Sequence, residues 1–256
     1  MQFQFHNVIP DKGTVIFTWD DNLASHAKII APLFEKFHYR CTFYINPGEA
    51  GFETLFLEQY QKLAAKGFEI GSHTDTHERL SSLTDVGFMD QIRNARDRIR
   101  DAFQIQPSTF AFPYHESDEK MLSQVRNYYF ETRNSLYNSV RFSIETSVNT
   151  AQIQELIDSA VRDKYSIVFS GHGAFTENDD PKTCGYEPVP SQKLCEILRL
   201  VKENPALQVC TFEQAALKTY LRYHCEIGDG SVRISEGQMA FLGQYGLTKE
   251  RILDLI

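Results

Sequence analysis

The stretch Gly71-Ser72-His73-Thr74-Asp75-Thr76-His77 carries two histidines four residues apart. Their rings face the same way if the chain turns helically there, because residues i and i+4 share a helix face. Two neutral imidazoles a few ångströms apart supply half of a divalent-metal site. The same spacing also arises on solvated faces, so a reactive site needs a carboxylate ligand, a base and an acid from elsewhere. Candidates stand at the ends of other apolar runs: Asp20 and Asp21 after Thr18-Trp19, Tyr114 after Phe112-Pro113, Arg133 after Glu131-Thr132, and His172 within Ser170-Gly171-His172-Gly173. Paired acids at a strand end also suit the positive N-terminus of a following helix. Capping accounts for one acid better than for two adjacent, mutually repelling ones.

The elements that position these residues follow from periodicity. Runs rich in β-branched, aromatic and other apolar residues at 14–18, 41–45, 68–70, 109–112, 128–132, 165–169 and 207–210 read as strands. Apolar residues at helical spacing predict helices over 23–37, 54–65, 84–103, 118–126, 150–162, 191–201 and 212–221, with Pro32 kinking or breaking the first. The alternation implies an α/β fold with a parallel sheet, and about seven units suggest a distorted (β/α) barrel. Reactive residues in such barrels sit beyond the carboxyl ends of the strands, where Asp20, Asp21, His73, His77, Tyr114, Arg133 and His172 all fall. The Pro-, Gly- and Asp-rich stretch 174–190 is a long loop at the same end, of the kind that is usually functional or disordered. The expected division is a barrel over 1–222 and a small appendage over 223–256. The appendage is a hairpin turning near Gly228-Asp229-Gly230 followed by a helix over 248–255.

Composition removes several function classes. A formal net charge of -8 argues against a nucleic-acid partner. No apolar run approaches the ~20 residues of a membrane span. The start Met1-Gln2-Phe3-Gln4-Phe5-His6 lacks the basic and long apolar regions of a secretory leader, so a cytoplasmic location is expected, with secretion left open. Five cysteines without C-x-x-C spacing suggest neither a disulfide framework nor a structural zinc cluster.

Thr18-Trp19-Asp20-Asp21, His73-Thr74-Asp75-Thr76-His77, Phe110-Ala111-Phe112-Pro113-Tyr114 and Ser170-Gly171-His172, in that order and approximate spacing, resemble the motifs of the polysaccharide deacetylases of carbohydrate esterase family 4, the NodB-homology family. The likeness covers roughly residues 10 to 220. It implies a NodB-like barrel acting on an acetylated carbohydrate, with one divalent ion, Zn2+ first and Co2+, Mn2+ or Ni2+ as alternatives, held by Asp21, His73 and His77. Asp20 would be the general base, His172 the general acid, and the Tyr114 backbone N–H an oxyanion donor. Pro113 and Phe112 would shape the acetyl pocket, although both also suit a barrel core.

The chain departs from the family pattern in places. The family's third motif often carries an arginine at the position of Ala111, where it orients the base; Arg133, from the next strand end, is the candidate replacement. His115 stands where a glycine is common, so it either lines the cleft or is a surface turn residue. Trp19 replaces a phenylalanine and is expected inside, and sugar stacking would fall to a residue such as Tyr137 or Phe175. The missing arginine also leaves open a degenerate barrel that binds glycans without turnover. Another C–N bond, such as a cyclic amide or ureide, is a further substrate class for the same barrel.

Overall fold

The computed structural model describes residues 2–6, 12–228 and 231–256. Thirteen strands are present among them: β1 (Gln2–His6), β2 (Gly13–Asp20), β3 (Thr42–Ile45), β4 (Glu69–Ser72), β5 (Thr109–Phe110), β6 (Glu131–Thr132), β7 (Ser139–Ser143), β8 (Ser166–Gly171), β9 (Ala174–Phe175), β10 (Val189–Pro190), β11 (Leu207–Cys210), β12 (Glu226–Gly228) and β13 (Ser231–Ser235). Eight of them form one parallel sheet in the order β6-β5-β4-β3-β2-β8-β7, with β11 added to the first half of β2. All eight residues of β2 are buried, as expected for a central parallel strand covered on both faces. The terminal strands β6 and β7 are not neighbours in the sheet, so it curls into a half-barrel without closing. The sequence analysis expected seven strands. The additional one, β7, reads Ser-Val-Arg-Phe-Ser, an alternating and half-exposed edge that lacks the apolar run of the others.

The helices are α1 (Ala31–Lys36), α2 (Leu57–Ala65), α3 (Asp85–Phe103), α4 (Glu119–Val125), α5 (Thr150–Asp163), α6 (Ser191–Lys202), α7 (Phe212–His224), α8 (Glu236–Gly243) and α9 (Lys249–Leu255). The expected 23–37 helix is broken: a wide π-type turn over His26–Ile30 leads into α1, and Pro32 occupies its first turn, where its missing N–H costs nothing. The helix α3 starts at Thr84, whose hydroxyl accepts from Gly87 N, and buries Phe88, Ile92, Ala95 and Ile99 on one stripe. Gln91 on the same stripe faces the histidine loop: its Oε1 accepts from the backbone N–H groups of Asp75 (3.0 Å) and Thr76 (2.9 Å).

The strand β4 lies tight against β3. A Cβ on Gly71 would stand 2.4 Å from the Tyr44 ring, so this close approach needs glycine. Beyond the barrel, β12 and β13 pair antiparallel, and β1 joins β13 on its other side. The turn residues Asp229 and Gly230 lie outside the described residues. This three-stranded sheet packs through Val232 and Ile234 against Leu217 and Leu221 of α7, together with Leu242, Leu247 and Ile252. The helix α8 carries two glycines and no clear apolar stripe, so periodicity did not predict it. Among the described residues no helix is long and apolar enough to cross a membrane.

Candidate metal centre and cleft

Asp20 is the last residue of β2, and Asp21 follows it with a left-handed backbone (φ 72°). His73 leaves β4, and its N–H still bonds Ile45 O of the neighbouring strand. The histidine motif is not helical, although i, i+4 spacing would also bring the rings together on a helix. Thr74 and His77 both take positive φ (70° and 58°), and His77 N donates to Thr74 Oγ1 at 3.1 Å. This tight loop folds the two rings together with centroids 5.0 Å apart. Asn46 Nδ2 holds the loop from below by donating to the His73 carbonyl. Tyr114 and His115 are left-handed as well (56° and 57°). Such conformations cost of order 1–3 kcal/mol each and persist where surrounding structure enforces them.

Asp21, His73 and His77 converge, with one ligand atom from each lying within 4.8 Å of the others. His77 Nε2 is 3.4 Å and His73 Nε2 3.8 Å from Asp21 Oδ1, too long for strong hydrogen bonds. Ligands ~2.1 Å from a tetrahedral ion stand ~3.4 Å apart, so this spacing fits a shared ion. Proton placement fits as well. His73 Nδ1 donates to the Ala111 carbonyl (2.8 Å), which turns the Nε2 lone pair toward Asp21. Burial pushes His73 down to about 3 and lowers His77, so both rings are neutral near pH 7. Burial, then the adjacent Asp20 carboxylate, pushes Asp21 up to about 6. The residues thus fit a divalent cation, whose charge would relieve two crowded carboxylates.

Asp20 is 2 % exposed. Burial opposes its ionisation, but the Arg133 guanidinium together with the neighbouring imidazoles holds the carboxyl well below the usual carboxylate range. Arg133 Nη1 and Nη2 donate to Asp20 Oδ1 and Oδ2, both at 2.6 Å, and Nη1 also reaches Thr18 Oγ1 at 3.1 Å. The arginine absent at Ala111 therefore has a spatial counterpart from the end of β6. His115 Nδ1 lies 3.5 Å from Arg133 Nη2, and burial followed by the arginine's charge lowers its pKa to about 4.

A cleft of ≈ 220 Å³ is lined by Asp20, His115, Ser143, Ser170, His172 and Tyr186 among others. His172 follows β8 and is close enough to Asp20 and Asp21 to act electrostatically on both. The exposed Tyr114 ring packs on His77 (4.9 Å) beneath the Arg79 guanidinium (4.2 Å), while Pro113 is buried. Phe112 packs in the core beside Phe110, and Trp19 is wholly buried. Tyr137 stands beside Tyr223 in a groove with Thr14 and Ser166, residues from the amino-terminal ends of β2 and β8 and so at the opposite end from this cleft. Phe175 pairs through β9 with β10 inside the 174–190 segment, which is folded rather than a plain loop. The aromatic side chain beside His172 is Tyr186, with ring centroids 5.3 Å apart.

Sequence reasoning missed His26, which is fully buried. Burial pushes it down to about 4, so the ring is neutral. Its Nε2–H donates to the His172 carbonyl and the Tyr60 hydroxyl donates to its Nδ1, both at 2.8 Å. The same hydroxyl lies 3.1 Å from the Asp21 carbonyl. His26 thereby ties the end of β8 to Tyr60 of α2. No motif marked it, because its partners are a backbone carbonyl and a tyrosine from another helix.

Residues 7–132 match the family model described as polysaccharide deacetylase. The matched stretch, 126 of the chain's 256 residues, is similar to the polysaccharide deacetylases. Solved structures with the same fold include family members of low identity. The chitin deacetylase of the fungal pathogen Colletotrichum lindemuthianum is 18% identical, covering 80% of this chain and 87% of that one at a TM-score of 0.57. The Xyl-CE4 domain of a multidomain xylanase from the hindgut metagenome of Trinervitermes trinervoides is 17% identical, covering 82% and 92% at 0.56. The peptidoglycan deacetylase PdaC from Bacillus subtilis is 15% identical, covering 84% and 95% at 0.55. No curated protein matches the chain. At these identities the structural likeness speaks for the family's half-barrel.

Proposed function

We propose that the chain is a metal-dependent hydrolase removing acetyl groups, N-acetyl in the first place, from an amino-sugar oligo- or polysaccharide. The observation that carries this reading is the convergence of Asp21, His73 and His77 beside the arginine-paired Asp20. Asp21 and the two imidazoles would hold the ion. When bound, such an ion lowers the pKa of a water molecule and polarises a carbonyl. Asp20 takes a proton from the attacking water. A carboxylate held this far below its usual range is a weak base, so it suits a water already acidified. Arg133 keeps both Asp20 oxygens in place and compensates their charge. As the C–N bond breaks, His172 gives a proton to the departing nitrogen, leaving acetate and a free amine. The Tyr114 N–H is assigned to the developing oxyanion, and Pro113 and His115 to the walls of the cleft.

The test is acetate release from N-acetylglucosamine oligomers by protein supplied with zinc or cobalt, before and after chelation. Release that chelation abolishes and metal restores supports the reading; activity surviving full chelation defeats it.

A further inference from the structure

Two carboxylates on the cleft play no part in the mechanism above. Glu145 follows β7 and Glu187 lies in the segment between β9 and β10, and both line the cavity that contains Asp20 and His172. Both stand at its mouth beside Tyr186. Their loops are stitched together by Thr146 Oγ1 donating to the Pro188 carbonyl at 2.6 Å. Glu187 adopts a left-handed backbone (φ 42°). Asp20 is compensated by Arg133. Among the described residues no basic side chain other than histidine lines this cavity, so the two glutamates leave its mouth anionic. Arg141, two residues before Ser143, is not part of the lining, and its charge acts on Arg133 and Asp20.

A second feature of the cleft independently calls for a ligand. Ser170 is 3 % exposed, and its Oγ has no hydrogen-bond partner among the described residues. Strand register shows where it points. Ser170 pairs with Thr18 on one side and Ser143 on the other, and side chains in register share a sheet face. Thr18 is two residues from Asp20, so it also shares that residue's face. The Ser170 hydroxyl therefore projects toward the side of the sheet that carries Asp20, into a cavity it lines. A buried hydroxyl without a partner costs ~1–3 kcal/mol unless something fills that place.

From these features we infer that the cleft mouth is a subsite for a primary ammonium group: Glu145, Glu187 and the Tyr186 ring receive the cation, and Ser170 Oγ bonds a polar group of the same ligand. Resting on the deacetylase reading, the ligand is a glycan whose sugar beside the reacting acetamide already carries a free amine. An ammonium between two carboxylates relieves their repulsion, and an adjacent aromatic face adds cation–π attraction. The free amine is also the product of the proposed reaction, so the subsite would favour chains already partly deacetylated.

The experiment is calorimetric binding of glucosamine tetramer and of N-acetylglucosamine tetramer at pH 6 to the zinc-loaded protein, to the double variant Glu145→Gln/Glu187→Gln, and to Ser170→Ala. The expected result is at least tenfold tighter binding of the cationic tetramer to the unaltered protein. That advantage should shrink with added salt and disappear in the double variant, while Ser170→Ala weakens both ligands. Equal binding of the two tetramers, or an advantage that survives the double substitution, overturns the inference. Failure of the deacetylase reading looks different: no acetate is released from any acetylated glycan, while Glu145-dependent binding of the cationic tetramer remains.

Discussion

Arg133 and Asp20 stand 113 residues apart in sequence and meet in a buried, two-pronged ion pair, with both N–O distances 2.6 Å. Removing one partner of such a pair strands the other charge, which typically costs ~3–5 kcal/mol. Arg133→Ala is therefore expected to lower thermal stability sharply and to raise the acid limb of the pH–rate profile. The sign follows from Asp20 lying below its usual range. Its stabilising contribution is complete above the ordinary carboxylate pKa and fades as pH falls toward the depressed folded value, and the variant loses that contribution. Arg133→Lys keeps the charge but not the fork, and should recover stability more than rate. A rate and pH profile identical to the parent in Arg133→Ala would remove Arg133 from catalysis.

Metal binding and base catalysis separate by substitution. His73→Ala deletes a ligand whose Nδ1 is anchored on the Ala111 carbonyl, so added zinc should no longer raise the melting temperature. In the parent, zinc at ~100 times its Kd stabilises by ~2.7 kcal/mol. Asp20→Asn should retain that zinc response yet lose on the order of 10²-fold or more in kcat. Thermal melts with and without zinc, beside acetate release, read both; loss of the zinc response in Asp20→Asn would contradict the division of labour.

His26 links the backbone at His172 to Tyr60. His26→Phe is expected to cost ~1–3 kcal/mol by leaving a buried carbonyl unpaired, and to reduce kcat more than it changes KM. The pH dependence is a further readout. His26 falls from 6.5 to about 4 on burial, so its neutral form favours folding fully above about 6.5, and that favour declines as pH drops toward 4. Each unit of such a depression is worth ~1.4 kcal/mol. Denaturant melts between pH 7 and 4 should show a shallower loss of stability in His26→Phe than in the parent.

Gly71→Ala tests the seating of the histidine loop. The added methyl meets the Tyr44 ring at 2.4 Å inside the core. Overpacking of this kind typically costs ~1–3 kcal/mol, and the displaced β4 end should weaken zinc binding as well. A variant with parental stability would show that β3 and β4 part more readily than their packing suggests.

Much of this protein is local and so legible in its order of residues. Seven strands, the stripe Ile92, Ala95 and Ile99, and the break at Pro32 follow from periodicities of a few residues. The convergence of Asp21, His73, His77 and His172 follows from one rule, that a parallel sheet brings its carboxyl ends to one side. Tertiary structure decided what local patterns do not encode. The histidine pair meets through left-handed residues at Thr74 and His77 rather than on a helix, because Gln91 and Asn46 from other elements hold that loop. Arg133 became the partner of Asp20 because the sheet curls, bringing the end of β6 over the carboxyl end of β2. His26 and the Glu145–Glu187 pair carried no motif, since their meaning lies in partners far away in the chain. Hydrophobic periodicity reports which face of an element is buried; only the assembled sheet reports what that face is buried against.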